Sequence, residues 1–395
     1  MIVYLDNSAT TRQFDEVTDL VYTISKDCYG NPGALHTLGF EAANVLNEGR
    51  RNIQEQFPSG GEVIITASGT ESDNMALYGV CRKLKRRGNK IITSKVEHPA
   101  VLQTCHRLED DGYEVIYLSV DTEGCISVKD LEDALDNNTI MVSLMTVNNE
   151  TGTIEPLIEA YRCVKEYATK TSQNILFHTD AVQAYGKLSM KDAPFDLISA
   201  SGHKIHGPKG IGLLYMRNGL NLPAYITGGG QENGYRSGTE NVPSIAGFGL
   251  ASTQSCNDLR TKMKSIARTN EYLRHGLFAS LQDIKLNGPN EIGYGLEDGG
   301  MRCPSVLNIS FVGTRGEVLL HTLEQDGIYV ATGSACSSHK GGGSHVLKEM
   351  GLDHKQVEGA IRFSFDESNT ISQMDYVIDR TTKAVNKFRK LGSFR

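Results

Sequence analysis

The sequence predicts an α/β protein in which a large domain, built on a mostly parallel sheet between helices, is joined to a smaller α+β domain. From about residue 60 to 216, short β-rich segments alternate with helical segments, as they do in parallel sheets with helices on both faces. A less regular mixture of strands and helices follows to the C terminus. The 395 residues are enough for two or three domains.

The alternating region is assigned from runs of β-branched and apolar residues, which favour strands, and from the longer helical segments between them. The predicted strands are 62–67, 90–94, 113–119, 139–147, 174–178, 197–201 and 211–215. The predicted helices are 71–87, 99–111, 127–135 and 156–170. Three consecutive glycines begin an irregular loop at 228–239, and a long helical stretch, broken somewhere inside, covers 242–282.

The remaining third of the chain mixes strands and helices without regular alternation. We predict a strand at 305–311, a helix at 317–325, a strand at 328–331, a Gly-rich loop at 333–344 and a terminal helix at 371–390. The predicted large domain is 15–258. The predicted small domain combines 1–14 with 259–395 and carries a cysteine loop at about 332–345.

Composition argues against several classes of function. The net charge is −7 without long runs of one sign, so neither nucleic-acid nor membrane binding is expected. No run approaches the roughly 18 apolar residues of a spanning helix, and no signal or transit peptide is predicted. The eight cysteines show no C-x-x-C or zinc-ligand spacing, which predicts reduced thiols, a cytoplasmic protein and no resident metal.

Lys204 lies in a polar loop, 201–210, between two apolar strands. A lysine at the end of a buried strand loses solvation, which lowers its pKa and makes the amine a nucleophile able to form a Schiff base. The alternative is a surface turn with two solvated lysines, since most lysines are exposed.

Polar groups also follow other predicted strands. Residues 68–72 open a helix with hydroxyls and a glycine, which suits an anion or simply a capping box. Asp180 ends a strand, where it would face a ligand or cap a helix. His98 and Asn149 lie in turns after two further strands, and exposure or turn formation alone would also explain them.

Each group alone has a structural explanation. Because all of them would lie at one edge of the sheet, a functional site is favoured over those separate explanations. An anion-binding helix start, a carboxylate for a protonated ring nitrogen, a flat imidazole and a Schiff-base lysine are together what pyridoxal phosphate requires. The sequence therefore predicts a site for that cofactor.

The chain resembles the cysteine desulfurases of the NifS/IscS type, within the class V aminotransferase group of fold-type I pyridoxal-phosphate enzymes. The resemblance covers nearly the whole length, and the matching segments are 4–11, 68–74, 97–102, 148–152, 178–183, 201–212, 228–242 and 333–338. It implies a seven-stranded, mostly parallel sheet in the large domain.

The resemblance also implies roles for individual residues. Lys204 would hold the cofactor and move the substrate α proton, Asp180 would pair with the ring nitrogen, and His98 would stack on the ring. Gln183 and Asn149 would hydrogen-bond the ring oxygen. The residues implied to hold the phosphate are Gly69, Thr70, Ser201 and His203, with Thr239 reaching it from the partner subunit of a homodimer.

Arg362 matches the arginine that binds the substrate carboxylate, for which a planar guanidinium is suited, and Asn149 is placed beside the substrate as well.

Cys336 differs from the other cysteines because it lies in a Gly/Ser-rich segment near His339 and Lys340. Such surroundings favour an exposed thiolate, although a loop thiol with no role is the alternative. The resemblance implies that L-cysteine becomes L-alanine while Cys336 receives the sulfur as a persulfide. The sulfur would pass to an acceptor, such as an iron–sulfur scaffold protein or a tRNA- or cofactor-thiolation protein, and Cys336 would be open to transient iron–sulfur ligation.

Two other functions are compatible with the same fold. One is a different pyridoxal-phosphate enzyme, such as an aminotransferase or selenocysteine lyase, which would not need Cys336 as a nucleophile in its main turnover. The other is a binding or scaffold protein without catalysis. The presence of Lys204, Asp180, His98 and Arg362 disfavours the second.

Overall fold

The computed structural model describes residues 1–333 and 343–392. Its strands are β1 (Val3–Tyr4), β2 (Glu62–Thr66), β3 (Lys90–Ser94), β4 (Glu114–Leu118), β5 (Thr139–Ser143), β6 (Leu176–Asp180), β7 (Leu197–Ser201), β8 (Gly212–Met216), β9 (Ile284–Asn287), β10 (Val306–Phe311), β11 (Ile328–Tyr329), β12 (Ala331–Thr332) and β13 (Ala360–Ser364). Its α-helices are α1 (Asp15–Asp27), α2 (Thr37–Gln54), α3 (Gly69–Leu84), α4 (Pro99–Asp110), α5 (Val128–Ala134), α6 (Leu157–Thr171), α7 (Val242–Cys256), α8 (Leu259–Ser280), α9 (Gly316–Gln325), α10 (His345–Glu349), α11 (His354–Glu358) and α12 (Ile371–Lys390).

The central sheet has seven strands among the described residues, in the order β2-β8-β7-β6-β5-β3-β4. The pairs from β7 to β4 are all parallel, whereas β8 runs antiparallel to both of its neighbours. Two antiparallel steps bring β2 back to the direction of β7. The carboxyl ends of β2, β3, β5, β6 and β7 therefore share one edge, and the predicted, mostly parallel sheet is confirmed.

Both faces of this sheet are buried, because successive residues of its strands enter different hydrophobic clusters. Ile92 and Phe177 pack in the cluster that contains side chains of α1, α2, α5, α6 and α7. Their neighbours Ile91 and Leu176 pack on the opposite face with side chains of α3 and α4. This alternation explains why the strands are almost continuously apolar in sequence.

A second sheet, with the antiparallel order β12-β13-β10-β9, belongs to the C-terminal part of the chain. Its hydrophobic cluster includes Val3 and Leu5 from the N terminus. Strand β1 pairs in parallel with β11, so the N-terminal segment joins this part of the fold. The boundaries proposed at residues 14/15 and 258/259 stay a prediction.

Several elements differ in detail from the sequence-based prediction. The strand expected at 139–147 ends at Ser143. The helical stretch from 242 breaks after Cys256, and Asp258 takes a left-handed conformation with φ of 49° before α8 begins. No element is predicted for 15–54, where α1 and α2 lie. Within the described ranges, no helix is long and apolar enough to cross a membrane.

Candidate active site

Lys204 ends a short 3₁₀ turn that directly follows β7. Its Nζ donates to the carbonyl oxygens of Ser8 at 2.5 Å and Ala9 at 2.8 Å. Burial, reinforced by the positive charges of Arg362 and Lys187, lowers the pKa of Lys204 to about 7. A large fraction of this amine is therefore unprotonated near neutral pH, the form that can act as a nucleophile.

Asp180 is the last residue of β6 and is 5% exposed. One carboxylate oxygen, Oδ1, accepts the backbone N–H of Val182 at 2.9 Å. Burial raises the pKa of Asp180, whereas the neighbouring groups His98 and Lys204 lower it. The carboxylate therefore depends on a cationic neighbour for its charge, which a protonated ring nitrogen would supply.

His98 is the N-cap residue of α4. Its Nδ1 accepts the backbone N–H of Ala100 at 3.1 Å, so the proton of the neutral ring lies on Nε2. Burial lowers the pKa of His98, and Lys204 and His345 lower it further, against the opposing effect of Asp180. The structure thus provides a neutral imidazole whose orientation is fixed by the helix start.

The start of α3 forms a narrow cradle next to β7. Ser68 caps the helix by accepting the backbone N–H of Glu71 at 3.1 Å, which leaves the N–H groups of Gly69 and Thr70 directed outward at the helix start. A Cβ on Gly69 would lie 2.6 Å from Cγ2 of Val182 and 3.5 Å from Cβ of Ser201. A larger residue at this position would require the Val182 side chain to move.

Gln183 shares a hydrogen-bond acceptor with Lys204. Its Nε2 donates to the carbonyl oxygen of Ser8 at 3.0 Å, the atom that also accepts Lys204. Its Oε1 accepts Nζ of Lys187 at 3.1 Å. Gln183 is buried, and its amide is held at both ends by protein groups.

Arg362 is buried on β13, from the second sheet, and faces the turn that carries Asn149. Nη1 donates to the carbonyl oxygen of Asn149 at 2.9 Å, and Nη2 donates to Oδ1 of Asp6 at 2.7 Å. Its Nε is buried and has no hydrogen-bond partner among the described residues. A buried guanidinium N–H without a partner is costly, which indicates that a ligand oxygen completes this site.

Glu150, next to Asn149, connects this turn to both flanks of segment 334–342. Its Oε2 accepts the hydroxyl of Ser344 at 2.5 Å. A Cβ on Gly333 would lie 2.7 Å from the same oxygen, so the carboxylate rests against the Gly333 backbone. Gly333 and Ser344, on either side of segment 334–342, therefore lie beside the turn that binds Arg362.

The remaining predicted site residues make fewer contacts with the groups described above. His203 bonds through Nδ1 with the hydroxyl of Thr10 at 3.1 Å, and burial lowers its pKa to about 4. Thr70 and Thr239 are exposed in the single chain. Cys336, with its neighbours His339 and Lys340, lies outside the described residues.

Sequence reasoning missed Asp6, Ser8 and Lys187 as parts of the site. Asp6 and Ser8 belong to a matching N-terminal segment, but their contacts span 356 and 196 residues of sequence. The sequence does contain a signal for Lys187, because a charged residue that follows Ala184, Tyr185 and other apolar residues is a candidate for a buried functional group.

The residues fit pyridoxal phosphate. The buried hydroxyl of Ser201 has no partner among the described residues, and it lies beside the Gly69 helix start, where a phosphate would use both. Asp180 suits a protonated pyridine nitrogen, and Lys204 suits a carbonyl carbon that an amine attacks.

Comparisons with known proteins show which family the chain belongs to. The family model described as "Aminotransferase class-V" matches residues 3–377. A curated relative from Clostridium botulinum (strain Hall), named cysteine desulfurase IscS, is 39% identical over 98% of this chain and 96% of its own. The structure of a NifS-like protein has a TM-score of 0.88 and 35% identity over 98% of this chain and 100% of its own. SspA in complex with cysteine has a TM-score of 0.78 and 30% identity, over 93% of this chain and 100% of its own.

Proposed function

The chain belongs to the aminotransferase class-V family and is a cysteine desulfurase within it, and on that premise we propose which residue carries out each step of the reaction. L-Cysteine is converted to L-alanine with pyridoxal phosphate bound at Lys204, and the sulfur is left as a persulfide on Cys336. The observation that carries the proposal is the meeting of three groups at one site. These are an amine with a pKa of about 7, a buried carboxylate and a buried arginine, one N–H of which has no partner among the described residues.

Residues of this chain offer contacts to each part of the cofactor. Asp180 would pair with the ring nitrogen, His98 would cover the ring, and Gln183 and Asn149 would face its ring oxygen. The groups proposed for the phosphate are the N–H groups and hydroxyls of Gly69, Thr70, Ser201 and His203. When bound, pyridoxal phosphate withdraws electrons from the α carbon of a linked amino acid, which makes the α proton acidic.

Arg362 binds the α-carboxylate of L-cysteine, to which it donates its Nε–H, a group without a partner in the part of the chain that the structure describes. Asp6 and the Asn149 carbonyl oxygen hold the guanidinium in place through its two other nitrogens. Lys204 then takes the α proton, because its lowered pKa leaves an unprotonated amine near neutral pH. The same amine carries that proton within the site, away from bulk water.

Cys336 acts as the sulfur nucleophile. Its thiolate attacks the substrate sulfur, so that an S–S bond forms and the bond between that sulfur and the β carbon breaks. The electron pair stays with the β carbon, which takes up a proton, and the product is L-alanine. Gly333 and Ser344 support this role, because both flank the cysteine segment and both contact Glu150 beside the site. SspA, one of the similar solved proteins, is in complex with cysteine.

The persulfide sulfur passes from Cys336 to an acceptor protein, of which an iron–sulfur scaffold is one candidate. The cysteines at 28, 81, 105, 125, 163, 256 and 303 are free thiols in the described part of the chain. Free thiols suit a reducing compartment, and we propose that the protein works in the cytoplasm.

Incubating the protein with L-cysteine is expected to add one sulfur atom to the peptide that contains Cys336. The measurement is mass spectrometry of the digested protein after alkylation, with alanine formation followed in parallel. Cys336→Ser is the control, and it should abolish both the added sulfur and multiple-turnover alanine production. Undiminished alanine production by Cys336→Ser would instead indicate an enzyme that does not use this thiol.

We also propose a homodimer in which each active site receives Thr239 from the partner subunit. In the single chain Thr239 and Gly228–Gly230 are exposed. Large apolar side chains are exposed at residues 22–40, among them Tyr22 (67%), Tyr29 (73%), Leu35 and Phe40 (67%). Clustered exposed apolar groups of this size are typical of a surface that another chain covers.

Mixing two inactive variants is expected to restore activity if the site is shared. In a mixed dimer of Lys204→Ala and Thr239→Glu chains, one site receives both damaged residues and the other receives neither. Equal mixing should recover about a quarter of the wild-type sites after subunit exchange. Desulfurase activity and native mass spectrometry of the mixture are the measurements. Complete exchange without recovered activity would place Thr239 in the site of its own chain.

A further inference from the structure

Lys187 is a buried lysine for which the proposed reaction gives no role. It is 9% exposed and follows Gln183 by four residues, in the turns after β6. Burial lowers the pKa of Lys187 to about 8, so the side chain is mostly an ammonium ion at neutral pH. A buried charge is costly unless neighbouring groups stabilise it, and it therefore needs an explanation.

The contact of Lys187 with Gln183 determines which way the amide points. An ammonium group has three donors and no acceptor, so it can bind only the oxygen of an amide. Because Lys187 occupies Oε1 at 3.1 Å, the NH₂ end must face the opposite side. There Nε2 donates to the carbonyl oxygen of Ser8, which also accepts Lys204. The NH₂ group of that amide therefore lies on the side of Lys204, with one N–H donated to the Ser8 carbonyl oxygen.

A small cavity adjoins Lys187. It has a volume of about 40 Å³ and is lined by both Lys187 and Lys204, together with Asn7, Ser305 and other polar groups. That volume is sufficient for one or two water molecules, which would accept the remaining N–H groups of Lys187. Lys262, His206, Asp366 and Glu367 line the same cavity.

We propose that Lys187 is a positioning residue, which fixes the amide of Gln183 with its donors directed toward the cofactor ring oxygen and places a positive charge beside Lys204. The inference rests on the proposed function, because it assigns a purpose to Gln183 at that site.

The charge of Lys187 affects Lys204 in a definite direction. Arg362 and Lys187 lower the pKa of Lys204, whereas Asp180 and Asp6 raise it. His98 and His203 are the other titratable groups that interact with this amine. Removing the charge of Lys187 leaves fewer positive neighbours, so the protonated form of Lys204 becomes more favourable and its pKa rises.

The test is an absorption titration of the holoenzyme from pH 5 to 10, following the band of the Lys204-linked cofactor. Lys187→Met removes the charge and the donor, and we expect its transition to move up by about one pH unit or more. Lys187→Arg retains a charged, donor-only group and should titrate close to wild type. Lys187→Gln retains a donor without charge, so it separates the orienting effect from the electrostatic one and replaces Lys187→Met if that chain does not fold.

Lys90→Met is the matched control, because Lys90 is also a largely buried lysine but lies at the opposite end of the parallel strands. It should lower the midpoint of thermal unfolding without moving the titration. A transition within about 0.2 pH unit of wild type in both uncharged Lys187 variants would overturn the proposal. Failure of the wild-type protein to bind the cofactor would refute the proposed function instead, which is a distinguishable result.

Discussion

Replacing Lys204 by alanine is expected to lower kcat/KM for alanine formation from L-cysteine by on the order of 10⁴-fold or more. Two functions are lost together, namely attachment of the cofactor and transfer of the α proton. In the structure the pKa of this amine falls to about 7, which favours its unprotonated form near neutral pH. The measurement is steady-state alanine production, with the absorption spectrum recorded to detect the altered cofactor linkage.

Lys209→Ala is the control for this change, since Lys209 is an exposed lysine five residues further along the same loop. It should retain activity within about threefold of wild type. Lys204→Arg should be as inactive as Lys204→Ala, because a guanidinium keeps its proton and cannot attack a carbonyl carbon. Equal losses in Lys204→Ala and Lys209→Ala would mean that the loop, rather than one amine, supports the reaction.

The part of the site that sequence could predict is the part organised by strands. Asp180 and Lys204 follow buried parallel strands, and the carboxyl ends of such strands converge on one edge whatever their order. The helix start at Gly69 joins the same edge because its strand, β2, regains the common direction after two antiparallel pairings. The local sequence pattern and the geometry of parallel sheets are therefore sufficient to place these residues at one edge of the sheet.

The part that sequence could not predict depends on contacts between distant segments. The pairing of Arg362 with Asp6 and of Lys204 with Ser8 requires the N terminus to return beside β13 and β7. Nothing in the local composition of residues 4–11 specifies those partners, since many turns carry Asp, Asn and Ser. The resemblance to known desulfurases identified the segment but not the atoms that it contributes.

The helices missed at 15–54 show a different limit. In α1 the buried residues Val17 and Ile24 recur at helical spacing, with Leu20 and Val21 between them. This period is present in the sequence and is typical of an amphipathic helix. The exact position of the break between α7 and α8 is harder to predict from the sequence. It depends on the left-handed conformation of one residue, Asp258, which the local composition specifies only weakly.

Asp180→Asn is expected to lower kcat for L-cysteine by about 10²- to 10³-fold, with a smaller change in KM. Asparagine keeps the size of the side chain and still accepts the Val182 N–H, but it cannot hold a proton on the ring nitrogen as a carboxylate does. The cofactor should therefore bind but withdraw electrons less strongly. Steady-state kinetics and the absorption spectrum of the purified variant check both statements.

Asp73→Asn is the matched control, because Asp73 is a fully buried aspartate on α3 near Asp180. Burial and the charge of Asp180 raise the pKa of Asp73 well above its usual range, so the folded protein favours the neutral form of this carboxyl more than water does. Replacing it by a neutral amide should change kcat by no more than a few-fold. If the two variants lost activity equally, packing under the sheet edge would explain the effect, and the charge of Asp180 would not be required.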